Sequence, residues 1–139
     1  MLSPSGDARE AQDSNDASVV MAFEFNNWSL LALGDLGESA QEQLMRRSMP
    51  VLDLLAAKTL VVKVAHHGSA DQSSELARRL RPEYAVFSVG RNNYGHPTSR
   101  ALNLFREAGS QLIRTDRLGP FALVLSEAPK VMVGGKLSW

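Results

Sequence analysis

The 139 residues contain no cysteine, which removes disulfide frameworks, zinc ribbons, thiol nucleophiles and thiolate redox motifs together. No apolar run approaches the roughly 18 residues needed to span a bilayer. The opening MLSPSGDARE has neither a basic n-region nor an apolar h-region, so no secretion signal is expected. Internal repeats, low-complexity tracts and linkers rich enough to divide the chain are also lacking. What is present is ordinary for one globular domain spanning residues 1–139: 44% apolar and 22% charged residues, with 10 Gly and 6 Pro.

The formal net charge is zero, but its distribution is uneven. Residues 1–45 hold eight acids against Arg9 alone, and residues 46–139 hold fourteen bases against seven acids. A basic second portion suits a polyanion, although pairs such as Arg46-Arg47 and Arg78-Arg79 also read as solvated helix faces.

Residues 1–16, rich in Ser, Asp, Gly and Gln without apolar periodicity, are expected to form a partly mobile loop. Val19–Phe25 and Trp28–Leu33 flank Asn26-Asn27 as a hairpin. From Glu38 to about Arg47 the residues are good helix formers, and Pro50 is expected to bound that helix before a less regular segment to Ala57. Thr59–Val64 is a short apolar β-branched run, the mark of a buried strand. Ser73 and Ser74 offer caps for a short helix closed by Pro82, and Tyr84–Val89 is the next strand. Pro97-Thr98 opens a helix whose Ala101, Leu104, Phe105 and Ala108 follow helical spacing, with Gly109 placed to stop it. Strands at 110–114, 120–126 and 130–133 follow, joined by turns at Arg117-Leu118-Gly119 and around Pro129. The order is ββαβαβαβββ. Helices between successive strands require crossovers, so strands 28–33, 59–64 and 84–89 are expected to run parallel in one sheet of an α/β fold.

In such sheets ligands collect beyond the carboxyl ends of the parallel strands. Gly34-Asp35 follows the first, Ala65-His66-His67-Gly68-Ser69 the second, and Asn92-Asn93-Tyr94-Gly95-His96-Pro97 lies beyond the third. All three histidines of the chain therefore lie at strand ends together with Asp35. Imidazole nitrogen and carboxylate oxygen are the donors of catalytic zinc and, with more oxygen, of manganese, and metal-bound water is a nucleophile for phosphodiester or acyl bonds. Each element alone also has a plain structural role: Gly-Asp as a turn, His96 beside Pro97 as a loop residue, Ser69 as a turn or cap donor, and Asn92-Asn93 as turn formers. Their joint placement points to a metal or phosphate site.

The series Leu2-Ser3-Pro4, Asn15-Asp16-Ala17-Ser18-Val19-Val20, Leu33-Gly34-Asp35-Leu36, Val62 through Ser69 (VKVAHHGS), Ser88 through Pro97 (SVGRNNYGHP) and Arg114-Thr115-Asp116 resembles the C-terminal half of the metallo-β-lactamase-like domain of ComEC-type DNA-uptake (competence) proteins. HHGS and NNYGHP at this spacing are specific, whereas GD alone is not. The resemblance implies half of an αββα sandwich, with a mixed sheet and helices, and a nuclease or phosphodiesterase activity on DNA. It also implies two divalent metals, zinc or manganese, in the complete domain. By it Asp35 matches the metal-bridging carboxylate, and one of His66 and His67 matches the late metal-ligand histidine. The other, with His96, belongs to the catalytic or substrate side, where Ser69 and Asn93 would bind substrate. It further implies DNA, an N-terminal half of the same domain and a membrane channel region as partners, on the extracytoplasmic side of the bacterial inner membrane.

The superfamily's first metal motif, HxHxDH, is not written here, since three histidines cannot supply it together with HHGS and NNYGHP. The chain is accordingly expected to be incomplete as a hydrolase, with weak or no activity alone, and to self-associate through the face that the other half would cover. Two other functions fit the same residues: a catalytically silent nucleic-acid or partner-binding module, and a hydrolase of small phosphodiesters or esters.

Overall fold

The computed structural model describes Leu2, residues 14–125 and residues 130–133. The loop expected at the start and the turn around Pro129 therefore lie largely outside the described residues. Strands β1 (Met21–Glu24) and β2 (Trp28–Ala32) form the expected hairpin, paired antiparallel with Phe23 opposite Leu30. Strands β3 (Thr59–Lys63), β4 (Tyr84–Phe87) and β5 (Gln111–Arg114) then add in parallel, giving one mixed five-stranded sheet in the order β1-β2-β3-β4-β5.

Three helices provide the crossovers: α1 (Glu38–Ala56), α2 (Ser74–Leu80) and α3 (Ser99–Glu107). The Ser73 hydroxyl accepts from the Leu76 N–H at 3.2 Å, the cap expected from sequence, and the Thr98 hydroxyl accepts from the Ala101 N–H at 3.2 Å at the helix start expected there. The first helix departs from expectation, because it passes through Pro50 instead of ending there. Ser48 leaves helical geometry at φ −122° and ψ 18°, which restarts the helix. Pro50 thus falls in the first turn of a second segment, where its missing N–H leaves no bond unmade. A single helical turn, α4 (Thr115–Leu118), replaces part of the turn expected near Arg117 and leads into the antiparallel ribbon of β6 (Phe121–Val124) and β7 (Lys130–Val133).

Alternation along the strands divides the apolar residues between two faces. Leu31, Leu60, Val62, Ala85 and Phe87 pack with Leu44, Leu52, Leu55, Leu76, Leu80 and Phe105 of the helices. On the opposite face Val61, Tyr84 and Ile113 are covered by Phe121, Leu123 and Val131 of the ribbon. Helices thus cover one face and the ribbon part of the other. At the β1 side of that second face Met21 and Phe23 of the strand, with Val19 and Phe25 flanking it, alternate and stay 42–49% exposed. This is the arrangement of half of a metallo-β-lactamase-like sandwich.

Candidate functional site at the carboxyl rim of the sheet

Parallel strands β2, β3 and β4 deliver their following loops, which carry the candidate residues, to one rim. The β2 exit turns at Gly34, whose φ of +58° and whose close approach to Ser18 and the Val19 carbonyl exclude a side chain. Asp35 follows, its N–H donating to the Ser18 hydroxyl at 3.1 Å and its carboxylate about two-fifths exposed. The β3 exit is a left-handed turn in which His66 (φ 44°), His67 (φ 53°) and Gly68 (φ 85°) all have positive φ. Two consecutive β-carbon-bearing residues in that region cost roughly 1–2 kcal/mol each. The His66 N–H donates to the Gly34 carbonyl at 3.0 Å, which joins the two turns directly.

The third loop, Gly90–Pro97, is held by Asn92, whose side-chain amide donates to the His96 carbonyl at 2.7 Å and accepts from the His96 N–H at 3.0 Å. Its end is pinned to the histidine turn, since the Thr98 N–H donates to the Gly68 carbonyl at 2.9 Å. The His96 ring lies 5.5 Å from that of His66 and 5.9 Å from that of Tyr94, whose side chain is 80% exposed. The His66 and His67 rings are 6.3 Å apart.

The hydrogen bonds assign chemistry to these groups. His67 Nδ1 is 2.7 Å from the Ser88 carbonyl. A carbonyl only accepts, so in the neutral ring Nδ1 carries the proton and the lone pair is on Nε2. His67 also lines an open cleft with Ser88, Val89, Gly90, Thr115, Gly119 and Pro120. Thr115 closes that side: its hydroxyl accepts from the Val89 N–H at 2.8 Å and donates to the Val89 carbonyl at 2.7 Å. Neighbouring Arg114 and Asp116 pair at 2.5 Å, and this hydrogen bond holds the Asp116 carboxyl below the usual range.

Of the substrate-side candidates, Ser69 is 6% exposed and its hydroxyl accepts from the Asp71 N–H at 3.3 Å, a turn role, while Asn93 is exposed on the third loop. Sequence reasoning missed Lys63. Its ammonium donates to the Gly34 carbonyl at 2.8 Å and lies 3.7 Å from the Asp35 carboxylate. Burial pulls its pKa below the ordinary lysine value, against the opposing attraction of Asp35. A lysine ending a buried strand directly before the histidine turn was the available signal. Sequence reasoning also missed Tyr94, although it stands inside the NNYGHP run.

Burial, with the nearby charges of His66 and His67, lowers the His96 pKa below 6.5. The unfolded chain therefore takes up the His96 proton at higher pH than the folded one. Stability from this residue is present above about pH 6.5 and is lost as pH falls through the folded value. A ring-proton NMR titration checks this: the His96 midpoint is expected below 6.5, and a midpoint at or above 6.5 counts against the packing described.

Gly68 is the rim's steric pivot. A β-carbon there would meet Phe87 Cδ1 at 2.6 Å and Pro97 Cβ at 2.7 Å, on a backbone with φ +85°. Gly68→Ala is expected to cost about 2–4 kcal/mol in urea unfolding. A change below about 0.5 kcal/mol would show that the turn is not locked in this way.

Among the described residues, no group of three or more His, Asp or Glu side chains converges closely enough to hold a metal ion. The described residues do not by themselves supply the three protein ligands that a catalytic metal site ordinarily needs.

No family model and no solved structure matches this chain. Curated proteins do. ComE operon protein 3 of Bacillus subtilis (strain 168) is 31% identical over 121 residues, 86% of this chain and 15% of that protein. Competence protein ComA of Neisseria gonorrhoeae is 35% identical over 113 residues, 80% of this chain and 16% of that protein. Recombination protein 2 of Haemophilus influenzae (strain ATCC 51907 / DSM 11121 / KW20 / Rd) is 34% identical over 94 residues, 67% of this chain and 11% of that protein. The chain thus spans 11% to 16% of the length of these relatives, and by this similarity it belongs to the ComEC-type competence proteins, to one segment of which it corresponds.

Proposed function

We propose that this chain contributes to competence and DNA uptake as the C-terminal part of a metal-dependent DNA hydrolase, on the extracytoplasmic side of the bacterial inner membrane beside a channel region. The observation that carries the reading is the junction of the two turns: His66 N–H on the Gly34 carbonyl at 3.0 Å, with the His96 ring 5.5 Å from His66. It brings the loops that carry Asp35, His66, His67 and His96 to one end of a parallel sheet, and carboxylate and imidazole are the donor types of hydrolytic metal centres. Zinc or manganese held there, with further ligands from an N-terminal half of the domain, would supply a nucleophile at neutral pH and positive charge for a phosphoryl group. This chain's own part is narrower. His67 presents Nε2, Asp35 presents its carboxylate, and the Asn92-held loop sets His96 and the exposed Tyr94 ring where a substrate passes.

Two observations favour a second reading, a nucleic-acid-binding module without catalysis. The charge facing Asp35 is the Lys63 ammonium at 3.7 Å, and fewer than three metal donors converge among the described residues. The test uses a protein in which this chain is joined to a segment bearing an HxHxDH-like motif. Cleavage of single- and double-stranded DNA, a small phosphodiester and a small ester is measured with zinc, with manganese and with chelator. Metal-dependent cleavage favouring DNA is expected. DNA binding without cleavage under every condition would support the second reading, and turnover of the small esters alone would move the activity to another substrate class.

A further inference from the structure

We infer that the buried amide pair Gln41–Gln72 is a positioning device that fixes the histidine turn against the Asp35 turn. The inference rests on reading those two turns as the functional site. Both side chains are 1% exposed. Gln72 Nε2 donates to the Ala65 carbonyl at 3.0 Å and the Ser69 carbonyl at 3.3 Å, the residues on either side of His66, His67 and Gly68. Gln41 Nε2 donates to the Leu36 carbonyl at 2.7 Å, directly after Asp35, and to Gln72 Oε1 at 3.3 Å, while Gln41 Oε1 accepts from the Ser73 N–H at 3.0 Å.

Hydrogen-bond chemistry fixes the orientation of both amides. The Leu36, Ala65 and Ser69 carbonyls can only accept, and the Ser73 N–H can only donate. Every one of these contacts is satisfied with Gln41 Oε1 on Ser73 and both Nε2 groups on carbonyls, and flipping either amide would set oxygen against oxygen. The pair therefore forms one directed chain from the Asp35 turn, through helix α1, to both ends of the histidine turn.

A turn with three successive positive-φ residues persists only when its surroundings over-determine it. Its other tethers run elsewhere: Thr98 holds Gly68 and Ser88 holds His67, both from beyond β4. The His66 N–H and the Lys63 ammonium both reach the Gly34 carbonyl, and the Glu38 N–H reaches Asp71, but the glutamine pair is what ties both ends of the histidine turn to the residue after Asp35. It is made of side chains that never approach a substrate, so Gln41 and Gln72 are positioning residues.

The test is amide hydrogen exchange and histidine-ring NMR on the 139-residue chain carrying Gln72→Met, which keeps the volume and removes the donors. Exchange at His66 and Ser69 is expected to rise more than tenfold and the His67 ring signals to shift, while Val62 and Ala85 in the neighbouring strands keep their protection. In Gln72→Glu a carboxylate would face two carbonyls at neutral pH, so the disturbance should be larger there. It should shrink relative to the unsubstituted chain at acid pH, where the protonated side chain regains a donor. That rescue is one a purely space-filling role would not produce.

If Gln72→Met does not fold, Gln41→Met serves, with disturbance expected at Leu36 and at the histidine turn together. Exchange within twofold of the unsubstituted chain at His66 and Ser69, or a uniform loss that includes Val62 and Ala85, overturns the inference. A zinc titration separates the two readings. If the turn responds to substitution while zinc moves none of the Asp35, His66 and His67 signals, even with the HxHxDH-bearing segment attached, the positioning device stands and the metal-site reading falls.

Discussion

Asp35→Ala and His67→Ala, each introduced into a protein that joins this chain to an HxHxDH-bearing segment, are expected to reduce DNA hydrolysis at least about a hundredfold while leaving the fold intact. Asp35 is suited to that result because its side chain is not part of the core: it is about two-fifths exposed, and its turn is held by the Asp35 N–H on the Ser18 hydroxyl, a bond alanine retains. Removing the carboxylate takes away the negative partner of a half-buried lysine, so a small change in stability accompanies the loss of activity. For His67 the argument is similar. The ring is exposed and gives one hydrogen bond to Ser88, so alanine costs packing little and removes the Nε2 lone pair. His96→Ala should act more mildly, about tenfold, because its backbone stays clamped by Asn92 whatever its side chain. Activity with zinc or manganese is the measurement, with circular dichroism as the check on folding. Full activity in Asp35→Ala would remove the carboxylate from the mechanism.

The parallel core of this fold was legible because its signals are local. The β-branched run at 59–64 and the apolar strand at 84–89, separated by a capped helix, admit one arrangement, and the loops that follow parallel strands must share a rim. That the turns after β2 and β3 bond each other and the His66 and His96 rings lie 5.5 Å apart is therefore a consequence of topology. The helix through Pro50 was not legible, since whether proline stops a helix depends on Ser48 letting the segment restart, which is a matter of tertiary packing. The ribbon of β6 and β7 was expected as strands, but nothing local says which face of the sheet it covers. Within the site, the positive φ of His66 and His67 was not legible, since histidine is enriched at positive φ but such residues stay uncommon even so, and residue type alone does not mark the turn. The glutamine pair was invisible for a related reason. Gln41 reads as a helix former and Gln72 as a loop residue, and only the fold brings positions 31 residues apart to 3.3 Å.

Purified alone, the 139-residue chain is expected to bind at most one zinc or manganese ion weakly, to cleave DNA at a low or undetectable rate, and to self-associate. The first two outcomes follow from donor count. Fewer than three ligating side chains converge among the described residues, and a catalytic centre ordinarily needs three protein ligands with an open position for water. With so few, the ion's charge is poorly fixed, and no second ion or neighbouring carboxylate assists attack. Self-association follows from the second face of the sheet. Val19, Met21, Phe23 and Phe25 alternate along β1 and the residues flanking it with 42–49% exposure. Period-two apolar alternation on an exposed face is what a strand shows when another layer is meant to cover it. Isothermal titration with each metal, a nuclease assay and sedimentation at micromolar concentration measure all three. Phe23→Lys, placed opposite Leu30 on that face, should shift the chain toward monomer without altering the helical face, since Leu31 and Val62 point the other way. Two tight metal sites with efficient cleavage would show that these residues assemble a complete enzyme, and a monomer at every concentration would show that the β1 face is tolerated in water.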